Sequence, residues 1–164
     1  MRFAIAVGAN RGDRSAAITR AGELLVAEGD IAILDRSPLI ETAPVGGPVG
    51  QGAFLNGAWI VATDLGPHQL LHRLQGIETA LGRVRTVVDG PRTIDLDLVL
   101  AEPRLTVHTP VLTLPHPRLH QRAFVLEPLM AVAPGWRHPL LGRTVAELAR
   151  ALLGAHPSQP IPPA

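Results

Sequence analysis

The sequence predicts an α+β domain, an antiparallel sheet with helices on its faces. Strand-like and helix-like segments follow one another in the order β, α, β, β, α, β, the arrangement of a split β-α-β sheet. Residues 93–100 read as an alternating strand, polar at 93, 95 and 97 and apolar at 94, 96, 98 and 100, with one face on a core. The chain has 164 residues, 46% of them hydrophobic. That length suits one core, and no apolar run reaches the ~18 residues of a membrane span.

Residues 2–10 read as a buried first strand ending at Gly8. Asp13 is placed to cap the helix that follows, with Ile18, Ala21, Leu24 and Leu25 at helical spacing and Gly29 as its stop. A second strand runs from Ile31 to about Ile40, with Pro38 marking an edge or a bulge near its end. Residues 42–52 are rich in Gly and Pro and form a loop, expected to be mobile. From Phe54 the pattern returns to strand, and Asn56 is a polar residue within it that needs partners if buried. Pro67 opens a helix with Leu70, Leu74 and Ile77 in its stripe and Gly82 at its end. Gln75 and Glu78 share one side of that helix, off the densest part of the stripe. After the alternating strand, residues 101–114 are irregular or contain short hairpin strands. Val125 to Val132 is a short apolar helix. Thr144 caps a last helix, with Glu147 at the capping-box position. Residues 1–155 are expected to form one domain, and the Pro-rich 156–164 a disordered tail.

Composition removes several function classes. Fifteen basic and fourteen acidic groups leave a net charge of +1, without the broad positive field of a nucleic-acid binder. All the basic residues are Arg, so a Walker A lysine and Schiff-base chemistry are both excluded. With no Cys there are no disulfides or zinc-thiolate sites. Met1-Arg2 runs directly into a strand-like segment, so no leader is expected, and the cytoplasm is the expected location.

The chemistry concentrates in Gly90-Pro91-Arg92-Thr93-Ile94-Asp95-Leu96-Asp97-Leu98-Val99-Leu100. Ile94, Leu96, Leu98 and Leu100 fall on one side of the predicted strand, and Asp95 and Asp97 on the other. Carboxylates at i and i+2 lie roughly 7 Å apart at their Cα atoms, a spacing that suits one or two Mg²⁺ ions. Arg83, Arg85 and Arg92 flank the adjacent loop and outline an anion site. Downstream, prolines on both sides disfavour helix at His116. They hold it in a rigid, extended turn near Arg122, as a candidate donor to phosphate.

Taken together, Gly90 to Asp97, Leu114-Pro115-His116-Pro117 and Arg122-Ala123-Phe124-Val125-Leu126 resemble the 6-hydroxymethyl-7,8-dihydropterin pyrophosphokinase family. The likeness extends through Gly8-Ala9-Asn10, Thr42-Ala43-Pro44, Phe54-Leu55-Asn56 and Gly82-Arg83-Val84-Arg85. It implies a ferredoxin-like sandwich and transfer of the terminal diphosphate of ATP to the pterin hydroxymethyl group, with AMP released, in folate biosynthesis. It also implies two Mg²⁺ ions on Asp95 and Asp97, and transition-state charge met by Arg83 and Arg92. ATP would be contacted by Gln75, Glu78, Arg85, Arg92, Leu98, His116 and Arg122. The pterin would be read by Asn56 with Thr42, Val45 and Gly46, and its ring slot lined by Phe54 and Phe124. The expected partners are these small molecules, with neither nucleic acid nor membrane, for a monomer or weak dimer. The loop at 86–89 is about one residue shorter than is common in the family and has Asp89 where a Trp is usual, which predicts weaker lid closure. Two other readings of the same residues are a Mg²⁺-dependent phosphohydrolase and a non-catalytic nucleotide- or pterin-binding module.

Overall fold

The first strand of the sequence becomes the centre of the sheet. In the computed structural model, which describes residues 1–44, 47, 49–82 and 93–154, β1 (Arg2–Ala9) pairs antiparallel with two neighbours. One is β4 (Phe54–Thr63) and the other β5 (Asp95–Glu102). Its apolar run is explained by this position, since β1 is covered on both faces. Between these strands lie α1 (Arg14–Val26), β2 (Ile31–Arg36), β3 (Ile40–Thr42) and α2 (Pro67–Ala80). The sheet order is β2-β4-β1-β5, with β3 also pairing with β4. Beyond β5 come the hairpin β6 (Val107–His108) and β7 (Thr113–Leu114), a 3₁₀ turn at Leu119–Gln121, α3 (Ala123–Val132) and α4 (Val145–Leu153). The fold is the α+β sandwich that the element order predicts. Expectations placed on Val45, Gly46, Arg83, Arg85, Arg92, the 86–89 loop and the 156–164 tail lie outside the described residues.

Two cores sit on opposite faces of the sheet. On one, Phe3, Ile5 and Val7 of β1 meet Ile18, Ala21 and Leu25 of α1 and Leu70, Leu74 and Ile77 of α2. On the other, Ala4 of β1 and Ala58 and Ile60 of β4 meet Leu119, Val125, Leu126 and Leu129, with Val145 and Leu148 of α4 behind. Each fully buried large apolar side chain contributes about 1.5–3 kcal/mol, so both layers are needed. The caps form where expected: Asp13 accepts from the Ala16 N–H at 3.0 Å. Thr144 and Glu147 complete a reciprocal capping box. No helix among the described residues is long and apolar enough to cross a membrane.

Two strands depart from simple alternation. The segment predicted as one strand to Ile40 breaks at Ser37–Leu39 and resumes as β3, both parts pairing with the long β4. Pro38 accounts for the break, since it has no N–H to offer a ladder. In β5, Ala4 pairs with Leu100 and Ile5 with Leu98, so Val99 is an inserted, bulged residue. Leu96 and Leu98 therefore face α1 and α2, while Val99 and Leu100 both join the α3 core. Leu100 does not share a side with Ile94, Leu96 and Leu98 as strict alternation predicts.

Candidate active site

At the end of the sheet where β1 finishes and β5 begins, a cavity of about 540 Å³ opens between the strands and α3. Its floor comes from β1 (Ala6 and Gly8), one wall from β4 and β3 (Phe54, Asn56, Thr42) and the opposite wall from Asp95 and Asp97. The third side is the segment entering α3, with Arg118, Gln121, Arg122 and Phe124. Register explains this gathering. Gly8 pairs with Asn56 across one ladder and with Asp95 across the other, so three strands present their functional positions on one rung.

Asn56 is 6% exposed, and its buried carboxamide has the partner such a group requires. Its Nδ2 donates to Thr42 Oγ1 at 2.6 Å, fastening the side chain across the β3–β4 ladder. Phe54 and Phe124 are half-buried and line the same space. Trp59 does not: it is buried in the α1–α2 core, with the Arg36 guanidinium 5.4 Å from its ring centre. Trp136 packs instead against the α3 core. The Arg122 guanidinium stands 5.5 Å over the Phe124 ring, a cation–π contact that keeps charge at the cavity mouth.

Asp95 and Asp97 are half-buried, both on the cavity face of β5. They form a hard oxygen donor pair, and among the described residues no set of three or more His, Cys, Asp or Glu converges on one metal position. Such a pair fits Mg²⁺, which is held by one or two carboxylates and completed by water and substrate phosphates.

His116 lies beside this group, its own N–H donating to Val99 O at 2.9 Å. Its Nδ1 accepts from the Arg118 N–H at 3.1 Å, so the neutral ring carries its proton on Nε2, free to donate. Burial is the main force lowering its pKa, followed by the positive charges of Arg122 and Arg118. Asp95 pulls the other way, and the result is about 4.

The remaining expectations divide. Gln75 is exposed on α2, whereas Glu78 is 3% exposed and accepts from the Leu96 N–H at 3.3 Å. Helical spacing alone puts these two together; packing against β5 separates them. Leu98 is 4% exposed in the α1–α2 core, so its side chain faces away from the cavity and only its backbone is available to a ligand. None of Gln75, Glu78, Leu98 or His116 lines the cavity itself. Ala6, Gly8, Arg118 and Gln121 do, and sequence reasoning did not single them out as site residues. Alternation along β1 was the available signal for Gly8. Arg118 and Gln121 carry no local one.

A family model described as 7,8-dihydro-6-hydroxymethylpterin-pyrophosphokinase (HPPK) matches residues 4–134. The chain belongs to the HPPK family. The match runs from β1 through α3, and so includes every described cavity residue. Among relatives, a 2-amino-4-hydroxy-6-hydroxymethyldihydropteridine pyrophosphokinase of Bacillus subtilis is 43% identical over 128 residues, 78% of this chain and 75% of its own length. A folic acid synthesis protein, fol1, of Schizosaccharomyces pombe is 41% identical over 143 residues, 87% of this chain. The chain spans 19% of the length of that relative. A solved Plasmodium falciparum HPPK-DHPS structure superposes with a TM-score of 0.70 at 14% identity, covering 92% of this chain and 45% of that one. At that identity the likeness concerns the HPPK fold alone.

Proposed function

We propose that this HPPK-family chain transfers the β,γ-diphosphate of ATP to the hydroxymethyl group of 6-hydroxymethyl-7,8-dihydropterin. In this reaction the substrate hydroxyl oxygen bonds to the β-phosphorus and gives up its proton to solvent, the bond from that phosphorus to the α–β bridging oxygen breaks, and AMP leaves with that oxygen. The observation that carries the reading is the single rung on which Asn56, Gly8 and Asp95 lie. Two strand spacings separate the outer residues, about 10 Å, a span suited to a bicyclic ring with a one-carbon arm. A ring edge read by Asn56 and Thr42, with Phe54 and Phe124 on the ring, would direct its hydroxyl toward the paired aspartates.

The chain's own residues supply positioning and charge, which is most of what phosphoryl transfer asks of a protein. Asp95 and Asp97 would hold Mg²⁺, two ions by the family resemblance. When bound, Mg²⁺ neutralises phosphate oxygens and makes the phosphorus more electrophilic. Arg122 and Arg118 would meet phosphate oxygens from the α3 side, and neutral His116 would donate from Nε2. Arg83, Arg85, Arg92, Gln75 and Glu78 stand as ATP-side residues on the strength of the resemblance. An enzyme of this kind acts on small molecules and needs neither membrane nor nucleic acid, and we place it in the cytoplasm.

The test is a product assay with ATP, Mg²⁺ and 6-hydroxymethyl-7,8-dihydropterin. AMP formed in step with pterin diphosphate is the expected result. ADP or free phosphate without a pterin product would replace this reading with a phosphohydrolase, and ATP binding without turnover would leave a binding module.

A further inference from the structure

Gly8 occupies the middle rung of the cavity floor, and its backbone does not require glycine. Its φ is outside the left-handed region, and a glycine inside a central strand weakens that strand. The reason for it is steric. A Cβ at this position would stand 2.8 Å from Asn56 Oδ1 and 3.9 Å from Asn56 Cγ. The carboxamide is also tied on its far side, where Nδ2 donates to Thr42 at 2.6 Å. Asn56 therefore cannot yield to a Cβ without giving up that bond or turning its oxygen away. Gly57, also in the sheet, makes a useful contrast. Its Cβ would meet Leu39, Ser37 and Val7 side chains on the α1–α2 face, and not the Asn56 carboxamide.

We infer that Gly8 is a positioning residue for acceptor recognition. Its bare Cα and the Thr42 hydroxyl together hold the Asn56 carboxamide in one orientation, with Nδ2 committed to Thr42 and Oδ1 presented over β1. The class of ligand this selects is a flat heterocycle carrying an N–H donor on the edge that meets Oδ1. The inference rests on the proposed pterin reaction, and the experiment separates the two.

The experiment is a kinetic double-mutant cycle on the whole chain with Gly8→Ala, Asn56→Ala and the double variant, following AMP and pterin diphosphate. Gly8→Ala is expected to raise the KM for the pterin about tenfold, the worth of one hydrogen bond, and to leave the KM for ATP within about twofold. The double variant is expected to be no worse than Asn56→Ala, because both substitutions disable one interaction. Binding of a non-hydrolysable ATP analogue with Mg²⁺ serves as the folding readout for each variant. An unchanged pterin KM in Gly8→Ala, a parallel rise in both KM values, or strictly additive effects would overturn the inference. If the unmodified chain makes no pterin diphosphate, it is the proposed reaction that fails.

Discussion

At the scale of single residues, the site relies on groups held by short, specific contacts. Replacing Asp95 or Asp97 by Ala removes half of the only carboxylate pair in the described cavity. Diphosphate transfer should then fall by at least ~10²-fold, since even supporting residues around metal ligands cost 10–100-fold. Thermal melting should stay near that of the parent, because both side chains face the cavity and not a core. Thr42→Val removes the acceptor from the buried Asn56 Nδ2, and an unmet buried amide costs about 1–3 kcal/mol. Pterin affinity, measured by calorimetry, should weaken by about tenfold or more. For His116, NMR titration should find a midpoint near 4 and Nε2 protonation at neutral pH. A midpoint close to 6.5 would contradict the burial that sets it. Several of these residues were legible in the sequence because their roles are local. Alternation put Asp95 and Asp97 on one face, and flanking prolines fixed His116. Arg118 and Gln121 were not, because the segment before α3 meets β1 and β4 only through long-range packing.

At the scale of elements, the helices divide between support and site. Leu74 of α2 and Leu126 of α3 are both fully buried, one in each core. Either one changed to Ala should lose about 2–5 kcal/mol in denaturant unfolding. The expectation differs for function: Leu126→Ala loosens the helix that carries Phe124 and should also raise the KM for the pterin, whereas Leu74→Ala should leave it unchanged in the folded fraction. Thr144→Ala should cost about 1 kcal/mol through the lost cap of α4, without any effect on KM. Caps are the part of the fold most readily legible in sequence, as Asp13, Thr144 and Glu147 each act within one helical turn. Glu78 illustrates the limit. Its spacing puts it on one side with Gln75, off the densest part of the core stripe, but the approach of β5 buries it against the Leu96 N–H. The break at Pro38 carried a marker; the bulge at Val99 has neither Gly nor Pro to announce it.

At the scale of the whole molecule, two histidines give the stability of the fold a pH dependence. His116 has a folded pKa of about 4 against 6.5 unfolded, and His138 is shifted in the same direction, by burial first and then by His120. Both are therefore neutral where the fold is intact, and the unfolded chain binds more protons below 6.5. For His116 the contribution to stability is complete above about pH 6.5 and is lost as pH falls toward 4, and His138 acts in the same direction. Denaturant midpoints should accordingly drop across that interval, and changing His116 to Asn should flatten the drop. The bulge at Val99 has a wider consequence for the same molecule. It acts as a shift in the reading frame of β5: upstream of it the polar side chains look into the cavity, and downstream the apolar ones fill the α3 core on that same face. Deleting Val99 would restore perfect alternation and leave Leu100 and the aspartates on their present faces, removing only the extra apolar side chain that the bulge adds to the α3 core. One surplus residue thus seats two consecutive apolar side chains, Val99 and Leu100, on the face that carries the aspartates, so the strand anchors itself in the α3 core immediately past its chemistry.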